Sequence, residues 1–275
     1  MGNLLKRTGS GLLFGILVIG CMLMPWSLLL LVCFLSVVLF LEFYQMTVDR
    51  RFRKETCCVS AASLVTLVLL FLHFQCGLGL RYAALGLLPL AAASIFLLFD
   101  GAEHHDFPTA VYFPLIYVTF PLAAALWLSW PGGHFTWRLL LGIFALLWVD
   151  DIGAYLVGMA FGQRPGSRKL FPALSPKKSW AGVLGGTVFC FLGAWLVAAT
   201  FGAPVLPTVH WMALAAIVAV FGVFGDLFES LIKRHAQVKD AGHIIPGHGG
   251  LLDRFDDVLF VLPLATLYLL LFSLL

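Results

Sequence analysis

Charged residues are scarce in this sequence. Only 11% of its 275 residues are Asp, Glu, Lys or Arg, whereas 61% are hydrophobic and the mean hydropathy is +0.99. A soluble globular domain carries about 25% charged residues, so this composition excludes a disordered chain, a secreted disulfide scaffold and an ordinary cytosolic enzyme. We therefore expect an all-α, polytopic integral membrane protein, in which each of the few charges needs a reason.

Several motifs that would indicate metal or transfer chemistry are also missing. The six cysteines include no Cys-x-x-Cys pair, so they indicate neither a zinc site nor a disulfide framework. No His-Glu-x-x-His sequence occurs, which argues against a zinc protease of the membrane. Asp100-Gly101 is followed by Ala-Glu-His-His, so the Asp-Gly-x-x-Ala-Arg pattern of CDP-alcohol phosphotransferases is absent as well.

Apolar runs long enough to cross a bilayer take up most of the chain. A spanning helix needs about 20 mostly apolar residues. The candidate spans are 11–24, 26–44, 57–74, 82–99, 110–129, 138–161, 180–201, 210–232 and 258–275. The break at Met24-Pro25 is either a tight hairpin or a kink in one long first helix, so the chain has nine spans or eight.

The basic residues favour about nine transmembrane helices with a cytoplasmic N-terminus. In that topology 15 of the 17 Lys and Arg residues lie on the cytoplasmic side, and only Arg81 and Arg138 do not. This asymmetry follows the positive-inside rule. The outer segments are brief, so we expect a single transmembrane domain over residues 1–275 that acts in the membrane or at its cytoplasmic face.

Two adjacent carboxylates, Asp150 and Asp151, fall inside the sixth predicted span. A carboxylate in hydrocarbon needs a partner, a proton, a metal ion or contact with water. Asp151, Tyr155, Gly158 and Gly162 share one helix face by their spacing, and the glycines allow close helix contact. A helix-packing seam with one satisfied Asp is the alternative to a functional role.

A polar stripe runs along the end of the eighth predicted span. Asp226, Glu229, Ser230 and Lys233 follow the i, i+3, i+4, i+7 spacing of one helix face, and Arg234 adjoins it. Snorkelling at the membrane interface would explain the two basic residues. It explains Asp226 poorly, because that residue lies a full turn deeper beside glycines.

The longest polar stretch follows this stripe. It contains Lys239-Asp240, the glycine-rich run 246–250 and the acidic run 253–257. Glycine amides can approach phosphate oxygens closely, and clustered carboxylates can hold Mg²⁺ together with substrate phosphates. The histidines of this stretch lack the spacing of zinc ligands. A solvated connecting loop is the alternative.

A basic segment precedes the seventh predicted span. Lys177, Lys178 and Ser179 stand before the first turn of a helix, which is an arrangement that binds anions. Anchoring to anionic lipid would explain the same charges. Together, the intramembrane carboxylates, the glycine-rich loop and the basic segments suit a metal-dependent reaction between a phosphorylated lipid and a soluble phosphate compound.

The stretch 230–256 resembles the signature of the phosphatidate cytidylyltransferases (CDP-diacylglycerol synthases). The matching positions, with every spacing intact, are Ser230, Lys233, Arg234, Lys239, Asp240, Gly242, Pro246, His248, Gly249, Gly250, Asp253, Arg254 and Asp256. The similarity extends to Gly225-Asp226, to the Ser-Pro-Lys-Lys-Ser segment at 175–179 and to residues 148–155, so the more family-like half is roughly 140–260. One departure is Ala181, which occupies a position where the family usually has Glu.

The resemblance implies an all-helical membrane enzyme that transfers a cytidylyl group from CTP to phosphatidate, giving CDP-diacylglycerol and pyrophosphate. It implies Mg²⁺ at Asp226, Asp253 and Asp256, and it allows a second, monovalent cation such as K⁺. The catalytic residues that it implies are Asp226, Ser230, Lys233, Arg234, Lys239, Asp240, Asp253, Arg254 and Asp256. The implied substrate-binding residues are Lys177, Lys178, Ser179, His248, Gly249 and Gly250.

The expected partners are CTP, phosphatidate and membrane lipids; the resemblance allows a homodimer, and no nucleic acid is expected. The expected location is the cytoplasmic (inner) membrane of a bacterium, with the active site on the cytoplasmic side. A secondary transporter or channel that uses the intramembrane aspartates is one alternative, and the one-sided glycine loop and basic clusters argue against it. A lipid kinase that uses CTP is another, and the full signature argues against it.

Overall fold

The computed structural model describes residues 2–48, 53–100, 107–201, 205–242 and 249–275, most of which are helical. The described helices are α1 (Gly2–Met22), α2 (Pro25–Thr47), α3 (Arg53–Cys76), α4 (Leu87–Asp100), α5 (Phe107–Pro114), α6 (Phe120–Leu128), α7 (Arg138–Phe161), α8 (Trp180–Phe201), α9 (Thr208–His235) and α10 (Leu252–Leu271). Their positions follow the predicted apolar runs closely, and α1 and α2 are separate helices because the chain breaks before Pro25, as predicted.

Six helical segments in the described part of the chain are long and apolar enough to cross a membrane. They are Pro25–Thr47, Arg53–Cys76, Val111–Leu128, Arg138–Phe161, Trp180–Phe201 and Thr208–His235. The protein is therefore a multi-pass, mainly α-helical membrane protein. Helices α1, α4 and α10 coincide with the three other predicted spans. However, α4 is short and the first turns of α10 are charged, so the count of nine stays a prediction.

The predicted span 82–99 is not a regular α-helix throughout. It begins as a 3₁₀-helix, Leu80–Gly86, and continues as α4. Gly86 lies so close to α3 that a Cβ atom there would overlap the Thr66 side chain. The backbone at Gly86 therefore packs directly against α3, and the apolar pattern of the sequence does not predict this contact.

The predicted span 110–129 also contains a change of helix type. A π-helical turn, Leu115–Thr119, lies between α5 and α6. Pro114 and Pro121 flank this turn, and a proline has no N–H to donate and clashes with the carbonyl four residues earlier. The prolines thus account for a turn that hydrophobicity alone does not predict.

A short antiparallel hairpin precedes α8, where the sequence predicts only a basic connecting loop. Strand β1 (Lys169–Phe171) pairs with β2 (Ser175–Ser179). Because successive side chains in a strand point to opposite faces, Lys177 is exposed whereas Lys178 is partly buried. The hairpin therefore separates two lysines that the sequence treats alike.

The chain divides into two compact units. Unit 1 comprises Met1–Phe135 and Val238–Arg254, and unit 2 comprises Thr136–Gln237 and Phe255–Leu275. Unit 1 thus holds α1 to α6 and the polar loop that precedes α10. Unit 2 holds α7, the hairpin, α8, α9 and most of α10.

Buried hydroxyl groups link the helices of unit 1. Thr119 Oγ1 donates to Ser63 Oγ at 2.7 Å, and Ser63 Oγ lies 2.9 Å from Ser36 Oγ. The Tyr44 hydroxyl donates to the carbonyl of Val111 at 2.8 Å. Such hydrogen bonds between apolar helices contribute to their association where no water competes.

Glycines bring α7 and α8 of unit 2 into close contact. A Cβ atom on Gly158 would lie 3.5 Å from the Cα of Gly182, and one on Gly185 would overlap the Val157 side chain. The predicted seam of small residues is therefore present. Tyr155, which the spacing places on the same face, is instead 66% exposed, so the contact is narrower than predicted.

Candidate active site

Several carboxylates of unit 2 lie where α9 approaches α10. Gly225 makes the approach possible, because a Cβ atom there would lie 2.5 Å from the Asp256 carbonyl oxygen and 2.9 Å from the Asp257 Cα. Asp226 follows directly and interacts electrostatically with Asp256 and Asp257, while Glu229 interacts with Asp256. We call Asp226, Glu229, Asp256 and Asp257 the carboxylate cluster.

The members of the carboxylate cluster disfavour one another's charge. Asp256 and Asp257 lie outside the predicted span, immediately before the apolar run 258–275. Burial, followed by the charges of Asp257, Asp226 and Glu229, raises the pKa of Asp256 above its ordinary value. Burial and the nearby charges of Asp151 and Asp226 raise the pKa of Asp257 to about 8. Carboxylates in such a group take up protons or a cation more readily than isolated ones.

Lysines from two elements supply positive charge to this cluster. Lys178 Nζ, on β2, lies 2.6 Å from Asp226 Oδ2. On α9, Lys233 forms an ion pair with Glu229, and the Ser230 hydroxyl donates a long hydrogen bond of 3.5 Å to Asp226 Oδ1. The polar stripe predicted on α9 is thus one helix face. Glu229 is only 1% exposed, which snorkelling at an interface does not explain.

The donor chemistry of the carboxylate cluster fits Mg²⁺. Carboxylate oxygens are the hard ligands that this ion prefers, and Asp226 and Asp256, two of the predicted ligands, belong to the cluster. Within the described ranges, no three His, Cys, Asp or Glu side chains are already arranged to hold a metal ion. In this structure the positive charge beside Asp226 comes from Lys178.

The adjacent aspartates of α7 differ in environment. Asp150 is 8% exposed, and its Oδ1 has no hydrogen-bond partner among the described residues. A Cβ atom on Gly186 would lie 2.9 Å from that oxygen. Asp151 is exposed, yet its charge raises the pKa of Asp257. Asp151 therefore interacts electrostatically with the carboxylate cluster.

In unit 1, Asp253 ties together the two ends of the signature loop, residues 241–253. Its Oδ2 accepts hydrogen bonds from the N–H groups of Ala241 at 3.0 Å and Gly250 at 2.8 Å. Gly249 has a φ of 80°, and a Cβ atom there would lie 2.8 Å from the same oxygen. A glycine is therefore required at that position, and one oxygen of this predicted metal ligand organises the loop.

Most of the other predicted site residues are exposed side chains. In unit 1 these are Lys239, Asp240 and Arg254, and in unit 2 they are Lys177 and Arg234. Their positions leave them accessible to a soluble substrate, and the structure assigns them no role. Predicted His248 lies outside the described residues, whereas Gly250 is buried at the base of the signature loop.

Ser179 has a local structural role. It is 3% exposed, its hydroxyl accepts a hydrogen bond from the Gly182 N–H at 3.2 Å, and it precedes the first residue of α8. These are the properties of a helix N-cap. Its assignment to substrate binding stays a prediction. Ala181, where the resemblance expects Glu, lines an apolar groove with Val157 and Leu184.

Glu42 is a buried acid that the sequence motifs do not single out. This residue of α2 is 1% exposed, and its carboxylate accepts hydrogen bonds from the N–H groups of Leu251 and Leu252. A single acid within an otherwise apolar 23-residue helix was a visible signal. Its partners lie 209 and 210 residues away, so spacing could not identify them.

The fold and the site define a multi-pass helical membrane protein with a carboxylate and lysine centre. The sequence model of the Cytidylyltransferase family matches residues 5–272, and the chain belongs to that family. The protein named phosphatidate cytidylyltransferase in Bacillus subtilis (strain 168) is 44% identical over 128 residues, which cover 46% of each chain. Its namesake in Staphylococcus aureus (strain COL) is 44% identical over 126 residues, again 46% of each chain. Over the matched stretches, the chain spans about half the length of these relatives.

Proposed function

We propose that this chain transfers a cytidylyl group from CTP to phosphatidate and releases CDP-diacylglycerol and pyrophosphate. The observation that carries the proposal is the ion pair between Lys178 and Asp226 within a cluster of carboxylates, of which Glu229 is buried. Both substrates are anionic, so a site that joins them needs cations held in fixed positions. The relatives named phosphatidate cytidylyltransferase support the same substrates.

The reaction needs no protein nucleophile. A phosphate oxygen of phosphatidate attacks the α-phosphorus of CTP, the new P–O bond forms, and the bond to the bridging oxygen breaks as pyrophosphate leaves. Mg²⁺, when bound, would neutralise charge on the phosphate oxygens and on the leaving pyrophosphate. Asp226 and Asp256 would hold the ion, and a ligand role for Asp253 stays a prediction from the resemblance. K⁺ could serve beside it as a second cation.

The chain's own residues would bind and orient the two substrates. Lys178 and Lys233 already lie beside carboxylates of the cluster, where they can bind phosphate oxygens and hold the reacting groups together. At the signature loop, Gly249 would let the backbone approach phosphate oxygens closely, and Lys239 and Arg254, which flank the loop, would add charge. Substrate positioning and charge neutralisation then supply the rate enhancement.

We also propose nine spans, a cytoplasmic N-terminus and an active site at the cytoplasmic face of a bacterial inner membrane. The basic hairpin and the signature loop both fall on the cytoplasmic side in that topology. In a cysteine-free background, Lys177→Cys should react with a membrane-impermeant thiol reagent in inverted vesicles but not in intact cells. Labelling in intact cells would reverse the proposed orientation. A homodimer is compatible with this arrangement, and cross-linking in membranes would detect it.

The position of the label in CTP tests the reaction directly. Purified protein is incubated with phosphatidate, Mg²⁺ and CTP that carries radioactive phosphorus at either the α or the γ position. Cytidylyl transfer brings only the α label into the lipid phase, whereas a CTP-dependent lipid kinase would bring only the γ label. Absence of any label in the lipid, with folded protein, would refute the proposal.

The proposed metal ligands have their own test. Asp226→Ala, Asp256→Ala and Asp253→Ala are each expected to lower turnover at least about a hundredfold, because charge stabilisation by the ion is lost. The same labelling assay measures the rates, and gel filtration in detergent checks folding. Near-normal rates in all three variants would show that the reaction takes place elsewhere.

A further inference from the structure

Glu42 is a buried carboxylate whose oxygens both contact the start of α10. Oε1 accepts the Leu251 N–H at 2.9 Å, and Oε2 accepts the Leu252 N–H at 2.7 Å. The first amides of a helix have no partner within the helix, and they carry the positive end of its dipole. Glu42 therefore satisfies two of these amides with charge-assisted hydrogen bonds.

Two glycines of the signature loop make room for this carboxylate. A Cβ atom on Gly242 would lie 2.5 Å from Glu42 Oε1, and its three nearest neighbours would all be atoms of Glu42. A Cβ atom on Gly250 would lie 2.8 Å from Glu42 Oε2. Glu42, which is distant in sequence, therefore explains Gly242, and it accounts for Gly250 together with the backbone nitrogen of Gly242, which would lie 2.7 Å from the added Cβ.

Two carboxylates thus fix the base of the signature loop. Asp253 ties its two ends together through Ala241 and Gly250. Glu42 hydrogen-bonds to the later end through Leu251 and Leu252 and lies close to Gly242 at the earlier end. Burial makes the second tie costly to break, because an unpaired carboxylate with 1% exposure has little access to water. All of these contacts lie within unit 1.

We propose that Glu42 is a positioning residue for the reaction: it holds the described ends of the signature loop, residues 241–242 and 249–253, so that Lys239 and Arg254, which flank those ends, can bind the phosphates of CTP. The inference rests on the proposed function, and Glu42 acts through the loop without contacting substrate. Its loss should raise the KM of CTP. A merely structural role would reduce the fraction of active protein and so lower the apparent kcat with the KM unchanged.

A double-mutant cycle between Glu42 and Gly242 tests this coupling. Gly242→Ala should lower kcat/KM for CTP by about tenfold or more, because its methyl group would displace the carboxylate. Glu42→Ala should cause a similar loss, and the double variant should be no worse than Glu42→Ala, since the obstructing atoms are gone. Gly20→Ala, with no atom within 4 Å of the added Cβ, is the matched control. The inference would be overturned if the double variant lost kcat/KM by the product of the two single losses, or if the single variants had normal kinetics.

A second measurement does not depend on activity. Glu42→Gln keeps the shape of the side chain but turns an amide N–H₂ group toward a backbone donor. Hydrogen exchange at the amides of Leu251 and Leu252 should therefore become faster than in the original protein. Glu55→Gln removes another buried carboxylate of unit 1, one with no hydrogen-bond partner among the described residues, and should leave these amides protected. Unchanged exchange in Glu42→Gln would overturn the inference.

The two proposals fail in different ways. An original protein that brings no α label from CTP into lipid would refute the proposed function. An active original protein whose Glu42 and Gly242 variants keep the KM of CTP would refute only the positioning role.

Discussion

Gly225→Ala is the substitution that most directly tests how the carboxylate cluster is assembled. The added methyl group would lie 2.5 Å from the Asp256 carbonyl oxygen, about 0.9 Å inside the 3.4 Å at which ordinary contact begins. The obstructing atoms belong to backbone, so α9 and α10 must separate by a similar distance. A misplacement of about 1 Å can cost about a hundredfold in rate, whereas overpacking costs about 1–3 kcal/mol of stability.

The assay is incorporation of the α label of CTP into lipid, with a thermal unfolding curve for each variant. We expect Gly225→Ala to remain folded with a lower melting temperature and to lose about a hundredfold in turnover. Gly222→Ala is the matched control on the same helix, because its Cβ would lie 3.9 Å from the nearest side chains. Turnover of Gly225→Ala within about twofold of Gly222→Ala would refute the reasoning, since the close approach would then have no part in the reaction.

Three further predictions follow from the site. Lys178→Met should lower turnover by about tenfold more than Lys177→Met, because only the first lysine contacts Asp226; equal losses would contradict this. Ser179→Ala should cost about 1 kcal/mol in unfolding experiments with the KM values unchanged, as expected for loss of a helix cap. Because the pKa of Asp257 is raised to about 8, stability contributed by its protonated form is lost as the pH rises from about 4 to about 8. Melting temperatures in metal-free buffer should therefore fall over that range, and the melting temperature of Asp257→Asn should depend less on pH.

The sequence predicts the helices well because hydrophobicity determines which segments enter a membrane. The break before Pro25, the limits of α7 and α8 and the polar face of α9 all follow from local pattern. The interrupted spans do not, because Pro114 and the contact at Gly86 change helix geometry without changing the average hydrophobicity. Local sequence patterns therefore predict where a helix lies better than they predict whether it contains a 3₁₀ or π-helical turn.

The candidate site is predicted in part for a similar reason. The resemblance predicts Asp226 and Asp256 as site residues, and the structure brings them together. The distinction between Lys177 and Lys178 needed the pairing of β1 with β2, and helical or loop periodicity does not supply it. Glu42 required knowledge of a tertiary contact, because nothing near it in sequence indicates a loop more than two hundred residues away.

The hydrogen bonds of Glu42 have a consequence for the order in which the chain is synthesised. Ribosomes synthesise α2 before Leu251 and Leu252, which lie 209 and 210 residues after Glu42. Throughout that interval the Glu42 carboxylate lacks the N–H groups that later donate to it, so it must stay protonated, hydrated or bound to another partner. Glu42 can therefore hold residues 251 and 252 only after nearly the whole chain that separates them has been synthesised.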